Sequence, residues 1–299
     1  MQHERNFDPA YETAIEVMPG IRRMTVQNPG PFTFFGTNSY IIGHEDVAIL
    51  DPGPLHEKHM HALLRATQGQ KVEAILVSHT HMDHSPGAKA LQAVTGAPII
   101  GCGAHRPARD LAAMETNALD ASADKDYRPD QELGDGERYA IGGFTLEAVP
   151  TPGHTANHLC FAVEGTEVLF SADHVMAWST SIVAPPDGAM SDYMASLERL
   201  QARAEDHFLP GHGAAVTQAH EYMSALWDHR KAREKAIAGC LSGNPLSIPQ
   251  IVELVYQGLD PMLKPAAGLS VFAHLEDLTS QGIVKAVPSA SLQAVYMTP

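Results

Sequence analysis

No stretch of the 299 residues approaches the ~18 consecutive apolar residues that a membrane-crossing helix needs, so no helical span is expected. The first residues, Met1-Gln2-His3-Glu4-Arg5, are polar and no apolar run follows them. That reads against a secretory signal and for a cytoplasmic protein. Cysteine is scarce: Cys102, Cys160 and Cys240 are odd in number and far apart, which excludes a disulfide framework and fits reduced thiols. Basic residues are few as well, 20 against 35 acidic ones, for a net charge of −15. Such a chain resists non-specific binding to polyanions. A phosphate substrate stays open, because a bound metal brings its own positive charge. Repeats, low-complexity segments and long linkers are missing too.

What remains is an ordinary globular composition, 44% apolar over a length that suits one large domain or two modest ones. Up to about residue 215, short β-branched runs alternate with amphipathic stretches, as in α/β layers. Strands are expected at Ala14–Met18, Arg23–Val26, Phe32–Ile42, Asp46–Leu50, Val72–Val77 and Pro98–Gly101. More are expected at Arg138–Ala140, Phe144–Val149, Leu159–Val163, Glu167–Phe170 and His207–Leu209. Helices are expected at Leu55–Thr67, Gly87–Thr95, Arg106–Leu119 and Asp192–Arg203, the last capped by Ser191. Beyond residue 216 the pattern turns helical, with helices near Ala219–Gly239, Ile248–Tyr256 and Gly268–Gln281 and an extended run over Gly282–Val287. Three helices followed by a short β-wing outline a winged-helix module. The expected division is therefore 1–215 and 216–299.

Seventeen histidines is a high count, but only their spacing carries information. Four segments share one plan, an apolar strand running straight into a loop that presents His or Asp. They end at His79, His154, Asp173 and His212. Loops leaving one edge of a sheet bring their tips together, and binding sites collect there. His79-Thr-His-Met-Asp-His84 packs four potential ligands into six residues behind an apolar strand. Isolated His-x-His pairs are usually surface or satisfied core residues; this density with three further loops is not that. Zinc favours imidazole and carboxylate. His79, His81 and His154 suit one ion, Asp83, His84 and His212 a second, and Asp173 is the natural bridging carboxylate.

His79-Thr-His-Met-Asp-His84, Thr151-Pro-Gly-His154, Ser171-Ala-Asp173 and Pro210-Gly-His212 together resemble the signature of the metallo-β-lactamase superfamily, over roughly residues 12–215. The resemblance implies an α+β fold, an αββα sandwich with a dinuclear site at one edge, and makes Asp51 a residue supporting the histidine loop. His81 stands where the flavodiiron branch carries Glu, which favours two zinc ions while leaving manganese or iron open. Asp173 stands where true β-lactamases of the superfamily carry Cys or Ser, which argues against antibiotic hydrolysis as the native task. The implied chemistry is a zinc-dependent hydrolysis through a hydroxide bridging the metals. Asp83 and His212 are the candidate catalytic ligands, one orienting the attacking water and one near the leaving group.

His158 and His174, beside the ligands, are expected to hydrogen-bond behind them. The hydroxyl-rich Trp178-Ser179-Thr180 segment is a candidate substrate contact, though packing of Trp178 is an equal reading. Asn38 and Tyr40 lie on a strand whose end is expected near the site. The C-terminal module is similar to that of the lactamase-β-like branch, which includes a single-strand endoribonuclease, so RNA hydrolysis is one reading. Charge disfavours it: in residues 241–299, Glu253, Asp260, Glu276 and Asp277 outnumber Lys264 and Lys285, a net −2. The preferred expectation is a small ester, thioester or lactone, with metal ligands resembling those of glyoxalase II. A homodimer is a possible assembly, and a metal-binding scaffold without activity is the third class.

Overall fold

The computed structural model describes residues 2–111 and 115–299. Two mixed sheets pack face to face. The first contains β1 (Ile15–Met18), β2 (Ile21–Thr25), β3 (Asn38–Gly43), β4 (Asp46–Leu50), β5 (Lys71–Val77), β6 (Ile99–Gly101) and β7 (Gln131–Glu132), side by side in that order. Its pairs are antiparallel up to β4 and parallel from β4 onward. The second contains β8 (Arg138–Ile141), β9 (Phe144–Pro150), β10 (Leu159–Val163), β11 (Val168–Ala172), β12 (His207–Pro210) and β13 (Val216–Thr217), with β11 and β12 parallel. Helices α1 (Glu57–Ala66) and α2 (Gly87–Thr95) cover the first sheet, while α3 (Met190–Gln201) and the start of α4 (Ala219–Cys240) cover the second.

The period-two alternation of β10 shows why this arrangement forms. Leu159, Phe161 and Val163 face the first sheet, in one core with Ile41, Ile49 and Leu76. Cys160 and Ala162 face the other way, toward Met190, Tyr193 and Leu197 of α3. Strand β5, central and parallel, is covered on both faces, so Ala74, Ile75, Leu76 and Val77 are all buried.

A third core joins the end of α4 (Ile237, Leu241) to α5 (Ile248–Val255), α6 (Lys264–Ser280) and a small sheet of β14 (Leu246–Ser247), β15 (Lys285–Val287) and β16 (Val295–Met297). Gln250 accepts the backbone N–H of Ser247 at 2.9 Å, closing the start of α5.

Three expectations fail locally. Phe32–Thr37 is a turn-rich loop rather than part of a strand: the aromatic run imitates strand composition, but Phe34 has φ 55° and Phe32 is half exposed. The residue before α3 is Ala189, which makes no side-chain cap; Ser191 lies inside the helix. The helix expected over Arg106–Leu119 falls partly outside the described residues, and the described residues on either side of 112–114 are irregular.

Candidate metal centre

Five strand ends meet at one edge of the sandwich: Asp51 follows β4, His79 follows β5, His154 lies beyond β9, Asp173 follows β11, and His212 follows β12. The close approach of these loops is set by two glycines. A Cβ on Gly211 would stand 2.5 Å from Asp173 Oδ1 and 2.7 Å from His84 Cε1. At Gly153, whose φ is +135°, a Cβ would meet the backbone of Tyr193 on α3 at 2.3 Å. Asp51 and Ala172 adopt positive φ of 49° and 41°, a cost that native contacts at this edge must offset.

The side chains converge in two groups. In one, His81 Nδ1 lies 3.2 Å from His79 Nε2 and 2.9 Å from His154 Nε2, and His154 Nε2 is 3.5 Å from Asp173 Oδ2. In the other, His84 Nε2 lies 3.3 Å from His212 Nε2 and 3.5 Å from Asp83 Oδ2, and His212 Nε2 is 3.2 Å from Asp83 Oδ2. Asp173 joins both, since its Oδ2 is 3.4 Å from His212 and its Oδ1 3.4 Å from His84. Donor atoms held ~2.0–2.1 Å from one ion at tetrahedral angles stand about 3.3 Å apart, so both groups have the spacing of ligands to a small cation.

The opposite ring nitrogens are already engaged. Asp51 Oδ2 is 3.0 Å from His84 Nδ1, and Ser78 Oγ is 2.9 Å from His79 Nδ1. The carbonyls of Ile182 and Gly36 accept from His154 Nδ1 at 2.7 Å and His212 Nδ1 at 3.1 Å. Each of these partners fixes the tautomer that leaves the Nε2 lone pair facing the centre. Among the described residues, buried Asp173 Oδ1 has no hydrogen-bond partner, as a carboxylate oxygen reserved for a cation would have none. The residues therefore fit a pair of metal ions.

Charge divides the two groups. Burial, reinforced by neighbouring imidazoles, pushes His79 well below its ordinary pKa and His81 down to about 3, and burial lowers His154. These rings are neutral and offer lone pairs. Burial also works against charged His84 and His212, but Asp83 and Asp173 outweigh it, raising His84 well above its usual value and His212 to about 9. The same attraction outweighs burial at Asp83 and Asp173 and holds both carboxylates ionised. Without a cation, the two acids at this edge draw protons onto the imidazoles that face them.

Around the centre, Asp51 also accepts from Ser78 N at 2.8 Å and from Ser78 Oγ at 2.6 Å. Asn38 donates to the carbonyls of Pro210 and Gly213, and Tyr40 to that of Pro210, so β3 clamps the His212 loop. His158 accepts from Asp173 N at 3.2 Å. His174 departs from expectation: neither ring nitrogen has a hydrogen-bond partner among the described residues, and the ring lies 4.5 Å from that of Tyr193. Trp178 stacks on Phe34 at 4.9 Å and abuts Gly213, while Ser179 reaches the carbonyl of its neighbour Thr180. Thr37, whose hydroxyl donates to Asp83 at 3.3 Å, was not foreseen, nor was the His105–Asp187 pair at 3.6 Å. The hydroxyl of Ser78, directly ahead of His79, was the one local signal available.

A two-sheet sandwich with helices outside and a His/Asp cluster at its strand ends defines a metal-dependent hydrolase with a candidate binuclear centre. Residues 32–212 match the metallo-beta-lactamase superfamily, and residues 247–291 match the beta-lactamase associated winged helix domain. The chain belongs to the metallo-beta-lactamase superfamily. It is 27% identical over 270 residues to the beta-lactamase-like protein 2 homolog of Caenorhabditis elegans, covering 89% of this chain and 86% of that one. It is also 27% identical over 225 residues to the atrochrysone carboxyl ACP thioesterase of Aspergillus fumigatus, covering 73% of this chain and 64% of the relative. A beta-lactamase domain protein from Burkholderia ambifaria has the same fold, with a TM-score of 0.81, 22% identity, and coverage of 98% and 96% of the two chains.

Proposed function

We propose that the protein is a zinc-dependent hydrolase of small carboxylic esters, thioesters or lactones, with a thioester first in order. The observation that carries this reading is the shared carboxylate of Asp173 between two donor groups of ligand spacing. In it, His79, His81 and His154 would hold one ion and Asp83, His84 and His212 the other, with Asp173 available to both groups. Two bound zinc ions supply an acidified water and positive charge for the oxygen that develops on the attacked carbonyl. Asp83 is the most exposed of the seven, with its side chain 26% accessible, and faces the incoming substrate. Its carboxylate accepts from the attacking water and orients it, while Thr37 steadies it from behind. His212 stands across from Asp83 at 3.2 Å, beside the leaving group. Trp178, Ser179 and Thr180 line the substrate's side of that edge.

Several features favour a carbonyl over a phosphodiester. Asp173 occupies the position that separates thioesterase-like ligand sets from β-lactamases, and one relative is named a thioesterase. Arg109 pairs with both Glu115 and Glu276, and buried Arg230 donates to the carbonyl of Ser181, so neither guanidinium is offered to a polyanion. Residues 216–299 act in this reading as a second unit that shapes the pocket.

The test is a rate panel on protein reconstituted in parallel with zinc, manganese and iron. Its substrates are an acyl thioester, a nitrophenyl ester, a lactone, a nitrophenyl phosphodiester and single-stranded RNA. The thioester or ester is expected to lead, with zinc the best metal and chelation abolishing turnover. Asp83→Ala is expected to lose one of two bound ions and at least about a hundredfold in rate. RNA cleavage faster than any ester would replace the carbonyl reading, and full metal content with full rate in the Asp83 variant would remove its role.

A further inference from the structure

An apolar groove of about 610 Å³, within the range of ligand pockets, lies between two loops of the sandwich and the C-terminal helices. One wall is made by Phe32 and Leu119, the tips of two loops of the sandwich. The other is made by Ile248 and Val252 of α5, Leu269 of α6 and Leu292. Charge is confined to its rim, where Lys264 and Glu253 pair at 2.5 Å.

Both loops that form the first wall lead back to the metal centre. The Phe32 loop ends at Thr37, which pairs with His212 as an isolated bridge and donates to Asp83. The Leu119 segment ends at Ala123, which bridges His81, and on the way the carbonyl of Ser122 accepts from Met82 N. By chain reach, Phe32 is within about 17 Å of Thr37 and Leu119 within about 14 Å of Ala123. The two loops therefore set the groove within the length of an extended acyl chain from the donor residues.

We infer that this groove, joined to the metal edge through Thr37 and Ala123, takes the long apolar acyl chain of the substrate. The inference rests on the ester and thioester reading and narrows it. A concave, ligand-sized groove with a mostly apolar lining suits a flexible hydrocarbon, and burying it there is favourable by the ordinary hydrophobic effect. Half-exposed Phe32 would then be covered only when substrate is bound.

The experiment uses the zinc-reconstituted full chain and thioesters of one thiol with acetyl, butyryl, octanoyl and dodecanoyl groups. For the wild type, kcat/KM is expected to climb with chain length, by up to about fourfold for each methylene buried. Phe32→Ser and Leu269→Asp are expected to lower the dodecanoyl-to-acetyl ratio of kcat/KM at least about tenfold. Leu254→Asp places the same charge on exposed α5 surface outside the groove and is expected to leave the whole series unchanged. A flat chain-length profile in the wild type overturns the inference, as does a steep profile that survives both groove variants. Light scattering at assay concentration covers one more outcome: if the groove variants turn a dimer into a monomer, the groove is an interface between copies and the inference is wrong. Failure to cleave any thioester, whatever its length, would instead remove the carbonyl reading beneath it.

Discussion

Asp51 touches more of the centre than its distance from any proposed ion suggests. One carboxylate oxygen accepts from the backbone of Ser78, and the other accepts from the Ser78 hydroxyl and faces His84 Nδ1 at 3.0 Å. It thereby sets the ring plane of His84 and, through Ser78, that of His79, one histidine in each donor group. Carboxylates in this role typically govern metal affinity by 10–100-fold. Asp51→Ala is expected to weaken metal binding by about that factor, measured by competition with a chromogenic chelator at a temperature where the variant is fully folded. Unchanged affinity for both ions would show that the His84 ring is fixed by packing alone. Of the two positive φ angles at this edge, that of Asp51 costs less than that of Ala172, since aspartate tolerates the region better than most residues.

The elements read from sequence with unequal success, for physical reasons that can be named. Strand β10 was visible because its whole length is apolar and buried, and β5 because Ala74–Val77 form such a run, with turn residues nearby. Phe161, on the inward face of β10, sits between the two sheets with no exposure. Replacing it by Ala is expected to cost ~3–5 kcal/mol in chemical unfolding, whereas Cys160→Ala, on the small-residue face toward α3, should cost clearly less. Equal losses would mean that β10 does not divide the two cores. Strands β7, β13 and β14 escaped notice, because two residues carry no periodicity. The donor loops were legible because each starts within a few residues of a strand end and four potential ligands crowd into His79–His84. Thr37, Asn38 and Tyr40 take their places through contacts with residues distant in the chain, and no local pattern encodes those. His105 meets Asp187 in the same way, across more than eighty positions of sequence.

At the scale of the whole molecule, α4 couples the sandwich to the C-terminal unit. Its first turns pack Met223 and Leu226 on the second sheet, while Ile237 in its last turns and Leu241 just past its end join the third core. Between them, buried Arg230 donates to the carbonyl of Ser181, whose hydroxyl reaches the carbonyls of Asp173 and His174. His274 of α6 lies close to this junction, 1% exposed, with neither ring nitrogen hydrogen-bonded among the described residues. Burial, aided by the charges of Arg230 and Arg233, pushes its pKa down to about 3. An unfolded histidine titrates near 6.5. Between those two values the unfolded chain binds a proton that the folded chain refuses, so the contribution is complete above pH 6.5 and is lost as pH falls toward 3. At pH 5 the loss amounts to roughly 2 kcal/mol from this one ring. Unfolding by urea at pH 7 and pH 5 is therefore expected to show a steeper acid loss for the wild type than for His274→Leu, by about that amount. The comparison between the two proteins matters more than either slope, because the histidines of the metal edge add an acid dependence that both share. Parallel losses would place His274 in a solvated, freely titrating position and would separate the burial of α6 from the joint at Arg230.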